Sequence, residues 1–237
     1  MVNIDDVYQQ VLVIANKEQR GYITPQEFNL FANLAQREIF EQYFYDYNYL
    51  EIRESNKTLN KQTTDLVRTK RDIFLRTMGP NVVNTFNVVG NAVVLPDFIY
   101  RISRLEAGGG VKAEYTTNNE FKDIINGGPL VRPSSKTPIW SIHNGRIRVH
   151  DGANVVEGIG LHYYEVPVDP RWGYFIVGDK ALYDPNPAKT THFELHESEQ
   201  PELIWKVLKF AGISMKRDDV LSAGQAMENL EKQQEKI

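Results

Sequence analysis

Two histidines four residues apart, in His192-Phe193-Glu194-Leu195-His196, are the side chains in this sequence best suited to chemistry. On a helix that spacing puts both imidazoles on one face, where they can share a zinc ion beside a glutamate acting as general base. A zinc-protease helix has its glutamate directly after the first histidine, whereas here it comes two residues later. The segment also alternates, with Phe193 and Leu195 to one side and His192, Glu194 and His196 to the other, the period of a strand. An ordinary polar strand face is the better reading, and a hydrolase with a histidine metal site is kept as the weaker alternative. His162 and Glu165 lie in an aromatic strand with no second charged group at acid–base spacing. Gly108-Gly109-Gly110 leads into a strand and not a helix, so it reads as a hairpin tip, not a dinucleotide-binding turn. No G-x-S-x-G elbow and no phosphate-binding G-x-x-x-x-G-K-[ST] loop occurs. Cysteine is absent, which removes disulfides, thiolate metal sites and cysteine nucleophiles together. The expectation is a protein with no catalytic, metal-binding or cofactor-binding residues.

The elements that hold these residues divide the chain in three. A first helix is predicted from Ile4 to Glu18, capped by Asn3, with Asp5 and Asp6 favourably placed in its first turn and Gly21 closing it. Thr24-Pro25-Gln26-Glu27 is a capping box with proline at the first helical position, and Ile23 with Phe28 is placed to form a hydrophobic staple. This second helix is predicted to run to Tyr49 and a third from Gln62 to Arg76. From Met78 the texture changes to short alternating segments broken by turns every 8 to 12 residues or so, the pattern of antiparallel strands. Asn144-Gly145, between Ile139–Ile142 and Arg146–His150, is the preferred pair for a tight hairpin, and Gly90-Asn91 marks another. A short helix is predicted near Asn119–Ile125. A last helix opens near Ser198 and ends at Gly212, with Glu202, Lys206 and Lys209 on its wet side. The fold class is therefore α+β: an N-terminal helical bundle completed by a C-terminal helix, with a mainly antiparallel β-rich middle. The domains are residues 1–77, 78–197 and 198–237, the last including an extended tail whose sizeable hydrophobes are Val220, Leu221, Met227 and Leu230.

The chain has 237 residues, 27 Lys and Arg against 31 Asp and Glu, and a net charge of −4. A protein that grips nucleic-acid phosphates carries a basic excess, so that class is disfavoured. The run Arg68, Lys70, Arg71 is accordingly read as a solvated or inter-subunit salt-bridging face. No signal-like start and no apolar run of membrane-spanning length occurs, so the expectation is a soluble protein without a membrane partner. The second helix carries an unusual aromatic load. Phe28, Ala32, Ala35, Ile39 and Tyr43 share one face, while Leu30, Leu34, Phe40, Phe44, Tyr45 and Tyr47 fall elsewhere. Such a helix is central in its own domain or touches another molecule, and tyrosine is enriched at interfaces. These six residues are the candidate subunit interface, and the four tail hydrophobes are the candidate contact with a neighbouring ring or protein.

Asn16-Lys17-Glu18-Gln19-Arg20-Gly21-Tyr22-Ile23-Thr24-Pro25, then Phe28-Asn29 and Ala35-Gln36-Arg37-Glu38-Ile39-Phe40, resembles the start of structural proteins of tailed bacteriophages. The likeness is to the crAss-like phages and related podoviruses. Shorter matches lie at Trp172-Gly173-Tyr174, Ala181-Leu182-Tyr183, Phe193-Glu194-Leu195-His196 and the helix from Glu202 to Ile213. The resemblance implies a collar, or head-to-tail connector, subunit. Such subunits form rings, commonly of twelve copies, between the portal protein and other ring or tail proteins. Genomic DNA would pass through the channel without specific binding. The location implied is the collar or tail region of the virion, after synthesis in the host cytoplasm. A tail hub or a proximal tail-tube component is the alternative virion part.

Overall fold

Asn3 starts the first helix as its cap, its side-chain oxygen accepting from the Asp5 amide at 3.0 Å. A computed structural model of the chain describes residues 1–17, 23–55, 61–78, 88–89, 92–107, 110–128, 130–152 and 159–214. Gly21, the turn at Gly90-Asn91 and the tail residues Val220, Leu221, Met227 and Leu230 lie outside the described residues. The chain divides into two units, Met1–Ile73 with Pro167–Ile237, and Phe74–Val166. The class is α+β, with mainly antiparallel sheets.

The first unit contains helices α1 (Ile4–Lys17), α2 (Pro25–Ser55), α3 (Lys61–Asp72) and α5 (Gln200–Ser214), and the hairpin β10 (Tyr174–Val177) and β11 (Lys180–Tyr183). The capping box forms as the sequence predicts. Glu27 accepts from the Thr24 amide at 2.9 Å while the Thr24 hydroxyl accepts from the Glu27 amide at 3.3 Å. Both staple residues, Ile23 and Phe28, are fully buried. At 31 residues α2 is about 46 Å long at 1.5 Å per residue. It packs against both α3 and α5, and α5 also packs on α1, so the C-terminal helix completes the N-terminal bundle.

The buried face of α5 departs from expectation. Glu202 and Lys206 are buried, Lys206 completely, and do not mark a wet side. The Lys206 ammonium lies 2.9 Å from Glu38 of α2 and 3.4 Å from Glu202 one turn back, with Lys209 at 3.7 Å from the same Glu38. A buried charge is tolerated when paired, and the pairing partner comes from a helix 168 residues away in sequence. The helix also passes through Gly212 to Ser214. Its entry is a 3-10 turn, Glu197–Glu199, capped by His196 in place of Ser198.

Residues 167–197, assigned to the β-rich domain from sequence, belong with the helices. Gln36, buried in α2, donates to the Val168 carbonyl at 2.8 Å and accepts from the Glu194 amide at 3.0 Å. Asn29 holds the Trp172 backbone from both sides, accepting from its amide at 2.7 Å and donating to its carbonyl at 3.3 Å. The Trp172 ring packs on Tyr8 and donates from its indole nitrogen to Asp5 at 2.9 Å. Blocks quoted above from distant parts of the sequence thus meet around one indole.

The described residues of the second unit form two sheets. One has the order β1 (Leu75–Met78), β9 (Gly160–Glu165), β4 (Ile99–Ala107), β5 (Val111–Lys112). The other runs β2 (Val88–Val89), β3 (Ala92–Val94), β8 (Arg146–His150), β7 (Ile139–His143), β6 (Glu114–Tyr115), where only the β6–β7 pair is parallel. Inward residues of both sheets share one core that includes Val93, Leu105, Trp140, Ile147, Leu161 and Tyr163. Asn144 and Gly145 both take positive φ, 50° and 69°, the turn their sequence demands. The short helix α4 (Asn118–Asn126) begins with a second capping box, Thr117 and Glu120. The third helix stops at Asp72, short of the predicted Arg76. Leu75–Met78 instead pairs with β9, where the ladder and the Arg76–Glu165 ion pair at 3.0 Å outweigh helical periodicity.

Candidate subunit interface

Successive residues of a helix are about 100° apart, so Leu30, Leu34, Glu41, Tyr45, Asn48 and Ile52 fall within about 60° of one another on α2. All six are exposed, and the stripe extends about 33 Å along the helix. Leu30 is 64%, Leu34 52%, Tyr45 67% and Ile52 62% exposed. Four of the six are apolar, in two pairs, Leu30 with Leu34 and Tyr45 with Ile52, separated by Glu41, and exposed apolar side chains grouped on one side of a helix suit a contact surface.

The candidate interface divides here. Leu30, Leu34 and Tyr45 belong to the open stripe. Phe40 and Phe44 do not: they are 2% and 7% exposed and pack edge-on at 5.1 Å. They lie on the flank of the helix, and a helix with two neighbours buries more than one stripe. Tyr47 is half-buried and committed to α3, with the Arg71 guanidinium 3.8 Å above its ring and Arg68 donating to its hydroxyl at 3.3 Å. That hydrogen bond raises the already high pKa of Arg68.

The basic run of α3 is therefore used inside the subunit. Lys70, mostly buried, meets the buried Glu199 at 2.6 Å, Arg71 also pairs with Asp72 at 3.0 Å, and Arg68 pairs with Asp65 at 3.6 Å. This corrects the expectation of a solvated face for Lys70 and Arg71, while Arg68 stays exposed.

The two histidines of the 192–196 segment serve as helix caps. His192 Nδ1 accepts from the Ile4 amide at 3.3 Å, at the start of α1, and His196 Nδ1 accepts from the Ser198 amide at 3.2 Å. Glu194 accepts from the Val168 amide at 3.0 Å. Phe193 and Leu195 are buried as the alternation predicts, although the segment forms only isolated bridges and no ladder. Among the described residues no cluster of three metal-ligating side chains occurs, and no helix is long and apolar enough to cross a membrane.

One constellation was not visible in the sequence. His162 on β9 has Thr77 Oγ1 3.0 Å from Nδ1 and Glu106 Oε1 3.6 Å from Nε2, and Arg104 pairs with that Glu106 at 2.9 Å. Strand register brings them together, since Thr77 and Arg104 are both cross-strand neighbours of His162. The order hydroxyl, imidazole, carboxylate resembles a nucleophile relay. It lies on a partly exposed sheet face, and the pairing serves as a cross-strand polar ladder.

A second apolar feature is also absent from the sequence reading. The β10–β11 hairpin carries Phe175, Ile176, Val177 and Leu182, all exposed. The β-branched and aromatic run Tyr174–Val177 marks β10 as a strand, but not that it belongs to a two-stranded ribbon with exposed faces.

Neither a scan against protein-family models nor a search of curated proteins finds a match to this chain.

Proposed function

We propose that the chain is a structural virion protein: a ring-forming head-to-tail connector, or collar, subunit that links portal to tail around the DNA channel. The observation that carries this reading is the stripe on α2 where Leu30, Leu34, Tyr45 and Ile52 are exposed, while Phe28, Ala32, Ala35, Ile39, Phe40, Tyr43 and Phe44 of the same helix are buried. A ring subunit presents unlike patches to its two neighbours, and this stripe supplies one. The charge supports the same reading, because a channel through which DNA slides is served by a chain of net charge −4 and not by a basic excess. The resemblance described above names the phage setting. The residues once suited to a metal site hold backbone amides at helix starts, which favours a structural role for them.

The test is the mass of the purified protein in solution, alone and mixed with portal, with negative-stain images of the mixture. The expected result is a closed ring, seated on the tail-facing end of the portal. A protein that stays monomeric in both conditions refutes the reading, and a ring that ignores portal but caps a tail tube moves it to the alternative part.

A further inference from the structure

We propose that the β10–β11 arm of one subunit inserts into an apolar groove beside α1 of a second copy, so that this contact closes the ring; the inference rests on the ring reading above. The arm is bare at its tip and fixed at its root. A two-stranded ribbon is marginal by itself in water, and its turn, Gly178-Asp179, has Gly178 at φ +62° as a tight two-residue turn requires. At the root, Tyr174 and Tyr183 stack on Trp172 at 5.7 and 5.9 Å, and the Asp184 amide donates to the Gly173 carbonyl at 2.9 Å. Beyond that root Phe175, Ile176, Val177 and Leu182 reach into water. Four exposed apolar side chains on a rigidly rooted projection are a knob without a hole.

A hole exists in the same unit. A groove of about 450 Å³ is lined by Gln10 and Ile14 of α1, by Glu197 and Ser198 of the 3-10 turn, and by Gln200, Pro201, Ile204 and Trp205 at the start of α5. Gln10 and Ile14 lie on the side of α1 opposite Asp5 and Tyr8, at about 100° per residue, and Asp5 and Tyr8 are the residues that hold Trp172 at the root of the arm. The arm reaches about 13 Å, four residues at 3.3 Å each. With its root fixed on the near side it cannot pass round a helix about 10–12 Å in diameter to the far side. The arm that fills this groove would therefore come from another molecule. Charge favours a second copy: Lys180, exposed at the arm, suits Glu197, which is 83% exposed on the groove wall and loosely paired with the Met1 ammonium at 3.8 Å. Knob and hole are different patches on opposite sides of one element, so the contact is head-to-tail and propagates from subunit to subunit until it closes.

The absence of cysteine makes the test clean. Ile176→Cys and Gln10→Cys each place a single thiol at an exposed position, in the arm and in the groove, and leave the packing intact. The two variants are mixed and treated with a short bis-maleimide, beside each variant alone. The expected result is a mixed dimer several-fold above either self-product, and a ladder of multimers from the double variant. Absence of the mixed dimer overturns the proposal, as does a dominant tip-to-tip product from Ile176→Cys alone. A mixed dimer that forms only after residues 215–237 are removed assigns the groove to the tail of the same chain and also overturns it. The ring reading fails separately: unaltered protein that multimerises on portal without the mixed dimer retains the ring and loses this contact, whereas protein monomeric with and without portal loses both.

Discussion

Replacing Leu34 and Phe44 by aspartate, one at a time, separates contact surface from core on a single helix. Phe44 is 7% exposed and lies edge-on to Phe40. Truncating such a ring costs about 3–5 kcal/mol, and a carboxylate in its place adds the cost of burying charge. Against a total stability of about 5–15 kcal/mol, Phe44→Asp should lose most or all of its cooperative fold. Leu34 is half exposed, and surface changes of that kind stay within about 0.5 kcal/mol. Its contribution would appear on assembly. Covering the remaining half of a leucine is worth about 0.8–1.5 kcal/mol, half the full side-chain value, which is about four- to thirteenfold in the association constant at each contact. Urea midpoints by circular dichroism give the first quantity and light scattering on gel-filtered protein the second. The expected outcome is a Leu34→Asp protein with the parental midpoint and a lower mass, and a Phe44→Asp protein with a collapsed midpoint. Equal midpoint losses, or a Leu34→Asp protein that still forms the parental ring, would falsify the division of α2 into open stripe and covered flank.

Lys206→Met should cost about 3–5 kcal/mol because it removes the buried cation that pairs with Glu38 and Glu202, and adding Glu202→Leu should restore part of that loss in denaturant titrations. Gly173→Ala places a methyl 2.5 Å from Thr190 Oγ1 and 2.8 Å from the Lys189 carbonyl. It should cost about 1–3 kcal/mol by overpacking, while Gly128→Ala, which meets open space, leaves the melting temperature unchanged. The Glu27 carboxyl is held below its usual 4.5 by the Thr24 amide first and the Thr24 hydroxyl second. Its folded-state value is thus the lower one. The stabilisation is complete above the ordinary value and disappears as pH falls through the depressed one, so Glu27→Gln should flatten the acid limb of the melting temperature against pH.

Features that are local in sequence were legible there. Thr24 and Glu27 are three residues apart, and Asn144-Gly145 is a contiguous turn, so both declared their geometry without help from the rest of the chain. Thr117 and Glu120 have the spacing of Thr24 and Glu27 and could have been read the same way; the apolar run that follows is only Phe121, Ile124 and Ile125, which makes it less conspicuous. The failures have long-range causes. Nothing near Lys206 says that Glu38 will meet it, so a lysine at helical spacing from Glu202 looked like a solvated pair. Phe40 and Phe44 looked surplus because the periodicity of α2 allows for one neighbour, whereas α3 and α5 both pack on it. Leu75 and Arg76 continued a helical pattern and became part of a strand because β9, more than eighty residues later, offered it a ladder. The contact surface was half legible: Leu30, Leu34 and Tyr45 could be named, but choosing them from six required knowing which flank was covered.

The helical unit is discontinuous, leaving off at Ile73 and resuming at Pro167, and this has a consequence for biosynthesis. The ends of the intervening segment are adjacent, with the Glu165 amide donating to the Phe74 carbonyl at 3.0 Å. The strands and their core can thus close while the ribosome is still translating. The helices made first cannot. Lys70 waits for Glu199, Asn29 for Trp172 and Glu38 for Lys206. At about 5–20 residues per second that leaves α1 and α2 exposing apolar faces for roughly 6–34 seconds in the nascent chain, the interval in which a chaperone would find them and in which premature pairing between neighbouring polysomal copies must be avoided.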